Sequence, residues 1–284
     1  MKQLIGGTYT GERALFAASG LSITGGTFED GESPLKHSRD IILEGSEFRW
    51  KYPLWYSNNI QVRDCTLTDT ARAGIWYTNN VSVCNTVYDA PKGFRRCDVI
   101  ELENVTFSNA AETLWQCRNV SLKNVKAKGD YLAMNCENVK VDNLKLDGNY
   151  SFDGGRNITV TNSRLLSKDA FWNCENIYVK NSCISGEYLG WNSKNLTFED
   201  CTLESLQGLC FIEGLRLINC RLVNTTLSFE YSSFIDAEIT GFVDSVKNPT
   251  SGVIRAGGIK ELIMEPERVD VSKTEIIITG TEES

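Results

Sequence analysis

Segments that alternate apolar and polar residues and end on Asn or Asp recur along this chain at a near-constant interval. The clearest are Ile60-Gln61-Val62-Arg63-Asp64, Val81-Ser82-Val83-Cys84-Asn85, Ile100-Glu101-Leu102-Glu103-Asn104 and Val120-Ser121-Leu122-Lys123-Asn124. Further members begin at Val139, Ile158, Ile177, Leu196 and Leu215, and earlier ones at Leu21 and Ile41, so successive starts lie 19 to 21 residues apart. Alternation with a period of two sends successive side chains to opposite faces, so each segment reads as a short β-strand with one face buried, and helical repeats are excluded. Leucine-rich repeats share the period but need a Leu-rich consensus that is absent here. Near-identical short strands stacked coil upon coil make a parallel solenoid.

The column Asp64, Asn85, Asn104, Asn124, Asn143, Asn162, Asn181, Asp200 and Asn219 marks a turn. Asn tolerates left-handed backbone there, and its amide can bond the equivalent amide one coil away. This asparagine ladder, with three short strands per coil, resembles the pectin-lyase-like right-handed parallel β-helix superfamily over nearly the whole chain. More narrowly, the chain is similar to a bacterial family of β-helix proteins of unknown function. The expected architecture is all-β: one right-handed parallel β-helix domain over 1–284, with regular coils over about 1–240 and irregular closing strands over about 241–284. Gly6-Gly7-Thr8-Tyr9 repeats as Gly25-Gly26-Thr27-Phe28, so the first coil starts almost at residue 1 and leaves a strand edge at which homo-oligomer contacts are expected.

Upstream of each alternating segment a second pattern recurs, as in Leu54-Trp55-Tyr56-Ser57, Ile75-Trp76-Tyr77-Thr78 and Phe171-Trp172-Asn173-Cys174. Its first column (Leu35, Leu54, Ile75, Phe94, Leu114, Phe152, Phe171) carries no charge and must face inward. The fourth (Ser57, Thr78, Cys97, Cys117, Cys136, Cys174, Ser193) is small or apolar and also reads as interior. The second column mixes Trp55, Trp76, Trp115, Trp172 and Trp191 with Lys36, Arg95, Asp153, Cys210 and Glu230. Unpaired charges inside a narrow solenoid would each cost several kcal/mol, so this column is expected to face outward. Beside it the third column (His37, Tyr56, Tyr77, Arg96, Gln116, Asn135, Asn173, Asn192) forms a polar stripe. Two other arrangements stay open: an internal aromatic stack with local bends for the charges, or outward aromatics packed beneath the loops or in a dimer interface.

Composition narrows the partners. The net charge of −8 and pI near 4.9 disfavour nucleic acid. No run approaches the roughly 18 apolar residues that span a bilayer, and the start of the chain lacks the apolar segment of a secretion signal, so no membrane and a cytoplasmic location are expected. The ten cysteines follow the repeat without a CxxC pair and read as reduced packing residues; with His37 the only histidine, neither a metal nor a cofactor is expected.

In the superfamily the strand that follows the variable loop commonly lies on the saccharide-binding face, and the tryptophan column holds that position here. Coils about 4.8 Å apart would make platforms of Trp55 with Trp76 and of Trp172 with Trp191, with Trp115 between. Pyranose C–H faces would stack on the indoles while Tyr56, Tyr77, Gln116, Asn135, Asn173 and Asn192 satisfy hydroxyls. The superfamily's hydrolases carry clustered Asp with Gly-His-Gly and Arg-x-Lys, both absent here. Its lyases set an Arg or Lys base against an acidic calcium cluster, and only the basic residues, Arg95 and Arg96, match. These two could grip a uronate carboxylate or simply pair with Asp98 or Glu101. Asp153, which replaces a Trp and is followed by two glycines, is the candidate catalytic acid; its bland alternative is a turn aspartate. A paired-carboxylate hydrolase would need a partner such as Asp130 or Asp169. The functional expectation is therefore oligosaccharide binding on an outward Trp-rich face, with hydrolase or lyase chemistry undecided, and the alternative is a non-catalytic scaffold or oligomerisation module.

Overall fold

The computed structural model describes residues 1–280. The chain is an all-β parallel β-solenoid of about 15 turns. No helix is long and apolar enough to cross a membrane. The chain divides into two compact units, Met1–Asp147 and Gly148–Ser284.

In the first unit the alternating segments are the strands Ser19–Thr24, Arg39–Glu44, Asn58–Arg63, Asn79–Cys84 and Asp98–Glu103. They stack in parallel register, Ile60 beside Val81 and Val81 beside Ile100. A two-residue strand follows in each coil, as at Thr66–Leu67, Val87–Tyr88 and Thr106–Phe107. In Arg118–Lys128 and Glu137–Asp147 the two fuse into 11-residue strands. Among the described residues the expected third strand forms only at Leu54–Trp55, Ile75–Trp76 and Phe94–Arg95. From Leu114 onward most first-column residues are themselves left-handed (φ 61° at Leu114, 60° at Ala133), which interrupts an extended run.

In the second unit Arg156–Thr161, Glu175–Lys180, Lys194–Glu199 and Glu213–Leu222 stack in the same way. Ser233–Lys247, Gly252–Ile263 and Thr274–Ile278 then continue the parallel pairing, with register shifts at Leu217/Cys220 and Ile239/Phe242. Parallel pairing, with these irregularities and a strand-free stretch between Ile263 and Thr274, extends to Ile278; positions 281–284 lie outside the described residues.

Four corners of a coil are left-handed. One coil has φ of 52° at Ala73, 55° at Tyr77, 55° at Asn80 and 49° at Asn85, and the next repeats this at Lys92, Arg96, Val99 and Asn104. At the Asn corner the amides bond along the stack: Asn104 Nδ2 donates to Asn85 Oδ1 (3.0 Å), Asn124 to Asn104 (3.1 Å) and Asn143 to Asn124 (2.9 Å). In the second unit Asn219 donates to Asp200 (2.7 Å). A further amide column, at the corner just before each alternating apolar segment, escaped the sequence reading: Asn80 donates to Asn59 (3.2 Å), Asn119 to Asp98 (2.7 Å) and Asn195 to Asn176 (3.0 Å).

The first and fourth columns fill the core. Leu35, Leu54, Ile75, Phe94 and Leu114 are buried in the first unit, and Phe152, Phe171 and Leu209 in the second. The fourth column also resolves a hydrogen-bonding problem, because left-handed corners leave inward carbonyls without a ladder partner. Ser57 Oγ donates to Leu35 O (2.9 Å), Thr78 Oγ1 to Leu54 O (2.8 Å), Cys136 Sγ to Leu114 O (2.7 Å) and Cys174 Sγ to Phe152 O (3.0 Å). The cysteines are thus both fillers and donors. All ten are free, and burial pushes the Cys65 thiol up to about 11. Cys210 departs from its column: it was expected outward but is buried, its thiol donating to backbone carbonyls such as Gly208 O (3.4 Å).

Asn104 tests the corner. Asn104→Gly keeps the left-handed backbone and loses only the amide bonds, so a loss of about 1 kcal/mol is expected; Asn104→Ala adds backbone strain of about 1–2 kcal/mol more. Urea denaturation of the two variants measures the difference.

Candidate functional site

In the first unit the second column is a half-buried stack. The Trp55 and Trp76 rings lie 5.1 Å apart at 6°. The Arg95 guanidinium is sandwiched 4.4 Å from Trp76 and 4.6 Å from Trp115, and Lys36 Nζ stands 5.9 Å from Trp55. Each indole is also pinned at its edge. Trp55 Nε1 donates to Ala73 O (2.6 Å), Trp76 to Lys92 O (2.8 Å) and Trp115 to Tyr131 O (2.8 Å), the acceptors being left-handed loop residues of the following coil. Column two is therefore a seam tying each coil to the next. Ring faces pressed on one another or on a guanidinium leave mainly edges for solvent, so the flat platforms expected at Trp55 and Trp76 are occupied by the protein itself.

The neighbouring stripe is stacked too. His37 lies on Tyr56 (5.3 Å) and Tyr56 on Tyr77 (4.7 Å), while Arg96 Nε donates to Gln116 Oε1 (2.8 Å). Gln116 and Asn135 are exposed. Arg95 pairs with Glu112 (3.2 Å) rather than with Asp98 or Glu101, and its Nε is buried without an acceptor. A guanidinium covered on both faces and tied to Glu112 has little left to offer a uronate or a proton transfer.

The second unit differs. Asp153, Trp172 and Trp191 occupy the second column of successive coils, all half-buried, with Asn173 and Asn192 exposed beside them. Asn192 Nδ2 donates to Asn173 Oδ1 (2.6 Å), whose own Nδ2 donates to Asp153 Oδ1 (3.3 Å). Trp191 follows the pinned pattern, its Nε1 bonded to Gln207 O (2.5 Å) and its ring in contact with Tyr188 and Phe211, each 5.0 Å away. Trp172 breaks the pattern. Its acceptor by position would be Tyr188 O, which instead receives the Trp191 backbone N–H (3.5 Å). Among the described residues nothing accepts from the Trp172 indole and no aromatic ring stacks on it.

Asp153 precedes Trp172 by one coil in the same column, and Asp169 lies three residues before it in the chain. Burial raises Asp153 above the usual carboxylate range, against the opposing Asn173 bond. Asp169, left-handed at φ 54° and only 4% exposed, is raised first by burial and then by the charges of Glu187 and Asp153, with Lys168 opposing. Lys168 is committed to Glu187 (3.2 Å). Among the described residues neither Asp153 nor Asp169 has an ion-pair partner, and no group of three or more His, Cys, Asp or Glu could hold a metal.

One cleft lies outside the columns. About 280 Å³ in volume, it is lined in the first unit by Trp50, Lys51, Asp69, Thr70 and Arg72. Lys51 pairs with Glu32 (2.6 Å) and Thr70 Oγ1 donates to Arg49 O (2.6 Å). The sequence reading missed it because these loop positions do not follow the coil pattern.

Stacked parallel strands, left-handed corners and inward small-residue columns define a parallel β-helix protein. The chain belongs to the family described as Protein of unknown function (DUF3737), whose model matches residues 2–277. The chain is similar to several solved structures. One is the Streptococcus pneumoniae surface protein and adhesin PfbA, with 11% identity, a TM-score of 0.40, and 99% of this chain and 90% of that chain covered. Another is a double mutant of the tailspike protein of E. coli bacteriophage HK620, with 9% identity, a TM-score of 0.36, and 91% and 62% covered. A third is the A-module of Azotobacter vinelandii mannuronan C-5 epimerase AlgE4, with 12% identity, a TM-score of 0.32, and 99% and 90% covered. No curated protein matches the chain.

The seam and the free indole predict opposite outcomes. Trp76→Ala, which removes a stack, a cation–π face and a pinned N–H, is expected to cost about 3 kcal/mol, and Trp172→Ala less than half of that; parallel urea melts compare them. For Asp153 the raised folded pKa means that ionisation weakens the fold. The associated stability is complete below the ordinary carboxylate range and is lost as pH rises through the folded pKa. Asp153→Asn should therefore raise the melting temperature at pH 7, and the gain should vanish on titration down to pH 3.

Proposed function

We propose that the protein binds an oligosaccharide on the outward strip of its second unit, around Trp172. The observation that carries this reading is the unsatisfied indole: in a column whose other tryptophans are pinned and covered, Trp172 keeps its N–H and ring for a ligand. A half-exposed aromatic beside Asp153, Asn173 and Asn192 offers what a sugar ring needs, an apolar surface for C–H groups and fixed acceptors and donors for hydroxyls. Trp191 contributes its remaining edge. Asp153 and Asp169, both raised by burial, are candidate general acids should the bound sugar present a glycosidic bond to either.

A second reading, a non-catalytic scaffold, is favoured by the first unit. There Trp55, Trp76, Arg95 and Trp115 spend their faces on one another, as expected of a column selected to hold coils together.

Tryptophan fluorescence titration with a panel of neutral, amino and uronic oligosaccharides separates the two. A saturable change that Trp172→Ala abolishes and Trp55→Ala preserves is expected. A flat response across the panel, with both variants folded, leaves the scaffold reading.

A further inference from the structure

The charge around Trp172 is lopsided. Within the second unit, the cations near the strip are committed: Lys168 to Glu187 (3.2 Å), Lys194 to Glu213 (2.9 Å), Lys247 to Glu230 (2.9 Å) and Arg156, at longer range, to Glu175 (3.9 Å). Asp153 and Asp169 are left without a counter-ion among the described residues. Asp153 has one neutral bond, from Asn173 (3.3 Å). Asp169 is more than nine-tenths buried, yet no described hydrogen bond or ion pair reaches its carboxylate. Its carboxylate is not fully enclosed, and the strongest charge acting on it is that of Lys168, already paired with Glu187. A carboxylate so far withdrawn from the surface, with no protein donor among the described residues, gains from a cation that reaches it from outside the chain.

What would complete it is a cation. A metal is disfavoured by the donor set, since no three candidate ligands converge there. The adjoining indole favours an organic ammonium, which gains from the ring quadrupole as well as from the carboxylates.

We infer that the site selects an amino sugar, a saccharide ring carrying a free ammonium group that sits against Asp169 and Asp153 while the ring lies on Trp172. This rests on the saccharide reading and adds the charge of the ligand. Asn173 and Asn192, linked in one amide chain to Asp153, are placed to meet ring hydroxyls. Uronic sugars are rejected, because their carboxylate would face two acids that have no ion-pair partner among the described residues, while the neighbouring Lys168 is already paired with Glu187. N-acetylation removes the ammonium charge and leaves Asp169 unsatisfied.

Calorimetric titration at pH 6 with the tetramer of glucosamine, its N-acetylated counterpart and a galacturonate tetramer tests the inference. The glucosamine tetramer should bind at least about tenfold tighter than the N-acetylated one, with no binding of the uronate. Asp169→Asn should erase that preference while retaining the weaker N-acetylated binding, and Trp172→Ala should abolish both. Equal or tighter binding of the N-acetylated or uronic tetramer, lost in Trp172→Ala, would overturn the amino-sugar inference and leave saccharide binding intact. Unchanged preference in a folded Asp169→Asn would also overturn it, and silence toward all three tetramers would remove both readings together.

Discussion

Left-handed backbone at matched corners is the constraint on which the rest of the structure depends. An L-residue pays roughly 1–2 kcal/mol to enter that region, yet a coil of about 20 residues cannot turn back on itself and return in register without such corners. The chain meets the requirement where it can with Asn, as at Asn85, Asn104 and Asn124, and accepts Tyr77, Arg96 and Val99 where it cannot. The strain is offset by interactions available only when equivalent corners stack: amide to amide, ring to ring, hydroxyl or thiol to the carbonyl one coil back.

The same logic gives the aromatic columns two characters. In Met1–Asp147 the indoles and guanidinium are consumed by the stack, and each indole N–H is bonded to the next coil. In Gly148–Ser284 the replacement of Trp by Asp153 and the commitment of Tyr188 O leave Trp172 without those partners. A column built for cohesion acquires chemistry where its pattern lapses, consistent with function residing in particular sites rather than in the fold.

Much of this was legible in the sequence, for reasons of period. Alternation at Ile60 to Asp64 and its repeats, spaced 19 to 21 residues apart, fixes strands, stacking and the inward columns, because burial admits few residue types. The Asn59, Asn80, Asn119 column was there to be read but was overshadowed by the adjacent apolar alternation. Less could be read of Cys210, whose inward turn depends on local backbone, or of Arg95, whose partner Glu112 lies in a loop outside the repeat. The charges in the tryptophan column argued against full burial, and its indoles are half-buried; the orientation of their rings could not be read, because it is decided by which loop carbonyl stands beside each indole. Asp169 was one of two loop acids in view, and its burial is invisible to composition.

Because each column bonds like to like along the stack, the neighbour that matters most to a side chain is the residue one coil earlier rather than the next in sequence. Asn124 bonds Asn104, and Tyr77 lies on Tyr56. Substitutions in this family should therefore drift in concert at a lag of one coil. A coil duplicated or lost whole would bring its own partners with it, so length can change in steps of one turn while every column stays satisfied.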